Sequence, residues 1–223
     1  MRTRLADEGC RVVAVRRREE KLRETVEAYS GAGSILTRAL DVSDRRQVED
    51  FMAWLVESCG PVELLVNNAG INIRNRSLEV LSVEDWEQLI HVNLTGAFLM
   101  IHSVLPIMRT RKEGLIINIS SIAGLRPSVL GGAAYSASKY GLNALSGVVA
   151  LEEAKHGIRC SAICPGEVAT PILDQRPVPV SAEKRAAMVQ PEDIAAAVLF
   201  IARLPARAHV PELIIKPTTQ EFS

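Results

Sequence analysis

The sequence predicts an α/β fold, a doubly wound, mostly parallel sheet with helices on both faces. Three observations carry this. Short β-branched runs alternate with longer amphipathic ones along all 223 residues. The runs Leu64-Leu65-Val66 and Leu115-Ile116-Ile117 are apolar at consecutive positions, as strands covered by helices on each side must be. No repeat, low-complexity tract or Gly/Ser-rich linker divides the chain, so residues 1–223 read as one domain.

In order, residues 1–9 have the look of a helix tail, followed by a strand at 11–15, a helix at 17–29 and a strand at 34–40. A helix at 44–58 follows Ser43, a residue of the type that caps helix starts. After a strand at 63–66, a helix at 83–111 is announced by Ser82, with Asp85 three positions on. A strand at 115–119, a helix at 133–156 and a strand at 159–163 come next. A helix at 191–204 opens on Pro191, which suits a first turn, and a strand at 213–216 closes the pattern. Such alternation implies right-handed crossovers, and ligands in these sheets lie beyond the C-terminal strand ends. Function is therefore expected at Arg16, Asp41, residues 67–70, Ser120, Ser121 and residues 165–170.

Composition narrows the function classes. Lys and Arg number 26 against 26 Asp and Glu, so the surplus of positive charge that nucleic-acid binding needs is missing. The longest apolar stretches, such as 195–202, fall short of the roughly 20 residues that span a bilayer, and no membrane span is expected. The Arg-rich N-terminus is interleaved with Asp7, Glu8, Glu19 and Glu20, unlike a transit peptide. Cys10, Cys59, Cys160 and Cys164 form no C-x-x-C pair, and the four histidines lack metal-ligand spacing. A reducing, cytoplasmic protein without a metal is the expectation.

The chemistry concentrates in Tyr135-Ser-Ala-Ser-Lys139. Positions four apart share a helix face, so the Lys139 ammonium can approach the Tyr135 phenol. A nearby cation lowers a phenol pKa that starts near 10, as acid–base work near neutral pH requires. The bare pair could equally lie on the wet face of a helix; its neighbours distinguish the two. The strand at 115–119 ends in Ser120 and Ser121, hydroxyls that can donate to a substrate oxygen. Residues 64–70 end a strand in Asn67, Asn68, Ala69 and Gly70, and Asn93 is polar in mid-helix, where propensity disfavours it. Downstream, Pro165-Gly166-Glu167-Val168-Ala169-Thr170-Pro171 breaks another strand.

Together these motifs (N-N-A-G, Asn93, S-S-I-A-G, Y-S-A-S-K, P-G-E-V-A-T-P) resemble the short-chain dehydrogenase/reductase family over nearly the whole chain. The resemblance implies a Rossmann-type sheet and reversible hydride transfer between a nicotinamide cofactor and a carbonyl or secondary alcohol. It makes Tyr135 the proton donor and acceptor, Lys139 its pKa-lowering partner and ribose ligand, and Ser121 the carbonyl-polarising hydroxyl. Asn93 would hold the water that links Lys139 to solvent. Asn68, Ala69, Gly70, Pro165, Gly166, the Val168 backbone and Thr170 fall at cofactor-binding positions. Asp41 resembles the adenine-contacting acid, though a helix-start carboxylate beside Ser43 and Asp44 reads the same way. An acid after the second family strand binds a ribose 2′-hydroxyl, whereas arginine accepts a 2′-phosphate. Here Arg16 and Arg17 stand with no acid before Glu19, which favours NADP(H) over NAD(H).

One part of the family pattern is missing. The first strand and its T-G-x-x-x-G-x-G turn, whose backbone cradles the pyrophosphate, have no match, and Gly31 and Gly33 fall on the wrong side of Arg16. An N-terminally truncated form of a longer enzyme is the expectation, with a catalytically impaired member acting as a binding or interaction scaffold as the alternative. Few apolar residues in 171–190 point to a small carbonyl or alcohol substrate. Apolar residues surround much of the helices at 83–111 and 133–156, so a homodimer or homotetramer is expected, against the alternative of a thick monomer core.

Overall fold

The computed structural model describes residues 2–27 and 29–221. β1 (Arg11–Arg16) and β2 (Ser34–Ala39) form a parallel pair, with Arg11 opposite Ser34 and Arg16 opposite Ala39. β3 (Leu64–Asn67), β4 (Gly114–Ile119), β5 (Ile158–Pro165) and β6 (Glu212–Ile215) form a second parallel sheet in that order. All six expected strands are present, within a residue or two of the expected ends.

The break between the sheets falls where the family pattern lacks its first strand. The Arg16 carbonyl accepts from the Leu40 amide at 3.1 Å, and the Glu63 carbonyl from the Leu115 amide at 3.0 Å. Successive residues of a strand turn their backbone groups to opposite sides. Val13 and Val15 of β1 and Leu64 and Val66 of β3 therefore face edges that have no ladder partner among the described residues.

Helices cover both faces. α1 (Arg2–Asp7) and α2 (Glu19–Glu27) flank the β1–β2 pair. α3 (Arg45–Cys59), α4 (Val83–Ile90), α5 (Gly96–Arg111), α6 (Ala133–Glu153), the single-turn α7 (Ala182–Ala186) and α8 (Pro191–Arg203) follow. On one face Phe51, Met52 and Leu55 of α3 and Met100, Val104 and Met108 of α5 pack with Ile116 and Cys160. On the other, Ala197, Val198 and Ile201 of α8 pack with Leu115, Ile117 and Ile163. Neighbours Leu115, Ile116 and Ile117 thus serve opposite faces and are all buried, the physical content of an all-apolar strand.

Three details differ from the sequence reading. Asp44, not Ser43, caps α3, because its carboxylate accepts from the Gln47 amide at 3.1 Å while the Ser43 hydroxyl donates to Asp41 at 2.6 Å. The helix at 83–111 is interrupted by a π-helical turn, His91–Thr95. As one continuous 29-residue run it is long and apolar enough to cross a membrane by length and composition, with mean hydropathy 1.5. That corrects the expectation that no stretch of the chain is long and apolar enough for this; Val92, Ala97, Met100, Ile101, Val104, Leu105 and Met108 of this run are buried in the fold.

α5 and α6 are clamped by Arg109, which grips the Glu153 carboxylate through both of its oxygens. Glu153 is 3% exposed, and Arg109 holds its carboxyl below the usual carboxylate range.

Candidate active site

Every strand runs the same way within its sheet, so the C-terminal ends of β3, β4 and β5 deliver Asn67, Ile119 and Pro165 to one edge. Just past that edge the chain turns back under α6. Gly124 closes the turn after Ser121, where a Cβ would lie 2.6 Å from the Lys139 carbonyl oxygen. Gly132, at φ +82°, opens α6, and a Cβ there would meet the Arg76 carbonyl oxygen at 2.7 Å. Only glycine lets these loops approach the helix that carries Tyr135 and Lys139.

The structure brings together Ser121, Tyr135, Lys139, Asn93 and Gly70. The Ser121 hydroxyl, buried, accepts from the Ala123 amide at 3.1 Å and lies close enough to the Tyr135 phenol to pull its pKa down. Ser120 points elsewhere, its hydroxyl 3.4 Å from the Lys139 carbonyl and in contact with Cys164. Lys139 is 4% exposed and donates from Nζ to the Ile119 carbonyl at 2.9 Å. Asn93 occupies the π-helical turn, a distortion that recurs at functional sites. Its Oδ1 accepts from the Ile71 amide at 2.8 Å, and its Nδ2 donates to the Ile71 carbonyl at 3.0 Å and to Ser138 at 3.1 Å. Asn93 thus pins the exit of β3 to α6, a use of the amide that the water-holding role did not anticipate. At Gly70 a Cβ would sit 3.6 Å from Lys139 Nζ and 3.7 Å from Asn93 Oδ1, in ordinary contact.

The electrostatics depart from the expectation for the Tyr–Lys pair. Burial raises the Tyr135 phenol above its ordinary value; the Ser121 hydroxyl and the Arg76 guanidinium pull it down. Lys139 is not among the groups that lower it. Its Nζ lies 5.7 Å from the tyrosine ring centroid, drawn back toward the Ile119 carbonyl. Burial pushes the Lys139 ammonium itself down to about 8. Sharing a helix face brings the two residues near each other, but the strand end decides where the ammonium points.

Arg76 is the residue that sequence reasoning missed. It is 7% exposed, donating from Nη1 to the Leu130 carbonyl at 3.0 Å and from Nη2 to the Gln175 carbonyl. Asn72 reinforces the same join, donating to the Gly131 carbonyl at 3.0 Å. Nothing marks this loop arginine in the sequence; three distant segments meet to bury it.

The remaining predicted residues stand apart from this cluster. Arg16 and Arg17 are exposed at the end of β1. Asp41 follows β2, with Oδ1 accepting from the Ser43 amide at 3.0 Å and from its hydroxyl. Asn68 and Ala69 are exposed beyond β3. Pro165 is buried at the end of β5, and the Gly166 amide donates to the Ile215 carbonyl at 2.8 Å. Val168 and Thr170 are half-buried, the Thr170 amide donating to the Val168 carbonyl at 2.8 Å. The segment 171–190, read as a short polar loop, is more ordered than expected. It holds a 3-10 turn, Pro171–Gln175, and α7, anchored by the buried Leu173, Met188 and Val189.

A nicotinamide dinucleotide fits the two ends of this edge. The buried Lys139 and half-buried Tyr135 suit a ribose and nicotinamide, and the exposed Arg16 and Arg17 suit a phosphorylated ribose. Between them no amide cradle for a pyrophosphate lies among the described residues. A Cβ on Gly33 would strike the Ala6 carbonyl oxygen at 2.2 Å, so that glycine serves packing.

Comparison with known proteins follows the same lines. A short chain dehydrogenase family profile matches residues 1–178. The chain is 34% identical over 203 residues to the 3-oxoacyl-[acyl-carrier-protein] reductase FabG of Thermotoga maritima, spanning 88% of this chain and 82% of that reductase. It is 38% identical over 175 residues to a 3beta-hydroxysteroid dehydrogenase of Mediterraneibacter gnavus, which covers 77% of this chain but only 62% of that enzyme. Among solved structures, the closed form of a serine dehydrogenase complexed with NADP+ superposes with a TM-score of 0.89 at 32% identity, covering 98% of this chain and 89% of that one.

Proposed function

The chain belongs to the short-chain dehydrogenase family of oxidoreductases, and from that membership we propose that it interconverts a small carbonyl compound and its secondary alcohol with NADP(H), Tyr135 serving as general acid and base. One observation carries the reading: the Ser121 hydroxyl bears on the Tyr135 phenol and favours its ionised form, one helical turn from a buried lysine tied to the end of β4. The reduced nicotinamide, when bound, supplies the hydride to the carbonyl carbon. Ser121 donates to the carbonyl oxygen and holds it against the phenol, and Tyr135 gives that oxygen its proton. In the reverse direction Tyr135 takes the proton from the alcohol. Lys139 holds the nicotinamide ribose, Thr170 and the Val168 backbone hold the carboxamide, and Asn68, Ala69 and Gly70 line the approach, with Pro165 and Gly166 shaping the strand exit. Arg16 and Arg17 take the 2′-phosphate, with Asp41 toward the adenine.

Preference for NADP(H) rests on the exposed guanidinium pair and on the NADP+-complexed relative. Following nicotinamide absorbance with small ketones should give a kcat/KM for NADPH at least about tenfold above that for NADH. Equal rates with NADH would overturn the cofactor assignment. A second reading is a binding scaffold without turnover, since no pyrophosphate cradle lies among the described residues; a folded protein that oxidises neither cofactor with any carbonyl would establish it.

Homo-oligomer formation through α5 and α6 is part of the same proposal. Phe98, Val148 and Leu151 stand 46%, 50% and 82% exposed on these helices, a cost in water that a partner's apolar face would offset. Sedimentation should find a dimer or tetramer that Leu151→Lys weakens; a monomer at micromolar concentration would refute it. A cytoplasmic location completes the reading, consistent with the four free thiols.

A further inference from the structure

We propose that Arg76 anchors the carboxylate of the substrate, so that the reacting compound is a short hydroxy acid or its keto form. This rests on the oxidoreductase reading and narrows it. Arg76 carries a charge into the interior, where an ion needs a counter-ion or a full set of hydrogen bonds. It has neither. Of the five N–H donors on a guanidinium, the bonds formed go to two backbone carbonyls, those of Leu130 and Gln175, and the buried Nε has no partner. A second cation, Arg176, acts on it and disfavours its charge further. That residue already has a carboxylate, Glu167, at 2.7 Å. No carboxylate bonds Arg76 among the described residues.

The unmet demand sits at the reacting end of the site. Arg76 lies within electrostatic reach of the Tyr135 phenol, and its backbone packs on Gly132, three residues before that tyrosine. Beside it opens a groove of about 570 Å³ lined by Arg74, Ser77, Val80 and Pro177 among others. Two guanidinium groups at an otherwise partly apolar groove fit a short chain with an acid terminus, because a carboxylate matches the planar guanidinium fork and neutralises the buried charge. A neutral alcohol would leave Arg76 as it is.

The test compares 3-hydroxybutyrate with its methyl ester, which share the carbinol and differ in the charge. With NADP+, the native chain should favour the acid by about a hundredfold in kcat/KM. In Arg76→Gln the acid-to-ester ratio should fall toward one. Arg76→Lys, which keeps the charge but loses the fork, should fall in between and stands in if the glutamine variant does not fold. A native ratio near one, or a ratio that survives both substitutions, overturns the assignment while leaving the oxidoreductase reading intact. If neither compound is turned over, the oxidoreductase reading is left to the wider carbonyl comparison. The carboxylate site is then judged by melting temperature: a rise with 3-hydroxybutyrate that Arg76 variants lose supports it, and no rise in the native chain overturns it.

Discussion

Tyr135→Phe is expected to lower kcat by about 10³-fold in both directions while leaving the KM for NADPH within about threefold. The substitution removes one oxygen. Ring packing and the turn at Gly132 persist, and Ser121 keeps its bond from the Ala123 amide. Only the group proposed to give and take the proton is lost. The raised phenol also sets the pH dependence. At neutral pH Tyr135 is protonated, so it is ready to donate in carbonyl reduction, which should hold level until the phenol ionises in the alkaline range. Alcohol oxidation needs the ionised form and should climb with pH over that interval. Steady-state rates in both directions across pH test the pair of slopes. Full turnover by Tyr135→Phe would remove this residue from the chemistry.

Lys139→Met should be the more instructive variant, since its activity and stability are expected to move in opposite directions. A drop in kcat/KM on the order of 10²-fold is expected, from the loss of the proposed ribose ligand and of the buried positive charge beside the proposed reacting groups. Stability should rise. The folded ammonium titrates at about 8, below the ordinary lysine value, so the unfolded chain binds its proton more tightly. The penalty is present in full below about 8 and fades as pH rises toward the ordinary lysine range. Holding the charge inside costs the fold on the order of 3 kcal/mol at neutral pH. Losing the hydrogen bond to Ile119 returns about 1 kcal/mol of that. The methionine variant should therefore be more stable by about 2 kcal/mol at pH 7, with the advantage vanishing in alkali. Denaturant unfolding at two pH values measures this; a variant destabilised at pH 7 would show that the lysine supports the fold rather than burdening it.

How much was legible follows from the range of each interaction. The six strands and the major helices were readable because periodicity and apolar runs are local. The five-residue α7 was not, because Ala-Glu-Lys-Arg-Ala has no face to bury and is held by its surroundings: Ser181 caps it and Met188 anchors the segment after it. The start of α3 shifted by one residue because two adjacent side chains can each accept an amide, and Asp41 claims the Ser43 hydroxyl. Asn93 was visible as a polar residue in mid-helix. The π-helical turn around it, and the Ile71 backbone it holds, were not.

Residue order alone established the layered α/β plan, the strand ends where chemistry gathers and the one-turn spacing of Tyr135 and Lys139, since each depends on neighbours a few positions apart. Packing alone decided that the Lys139 ammonium turns to the Ile119 carbonyl and that Arg76 is the cation bearing on the phenol, beside the Ser121 hydroxyl that the resemblance had singled out. Those outcomes depend on burial by segments as far apart as residues 76, 130 and 175, and the environment that shifts a pKa or strands a guanidinium exists only once these segments meet.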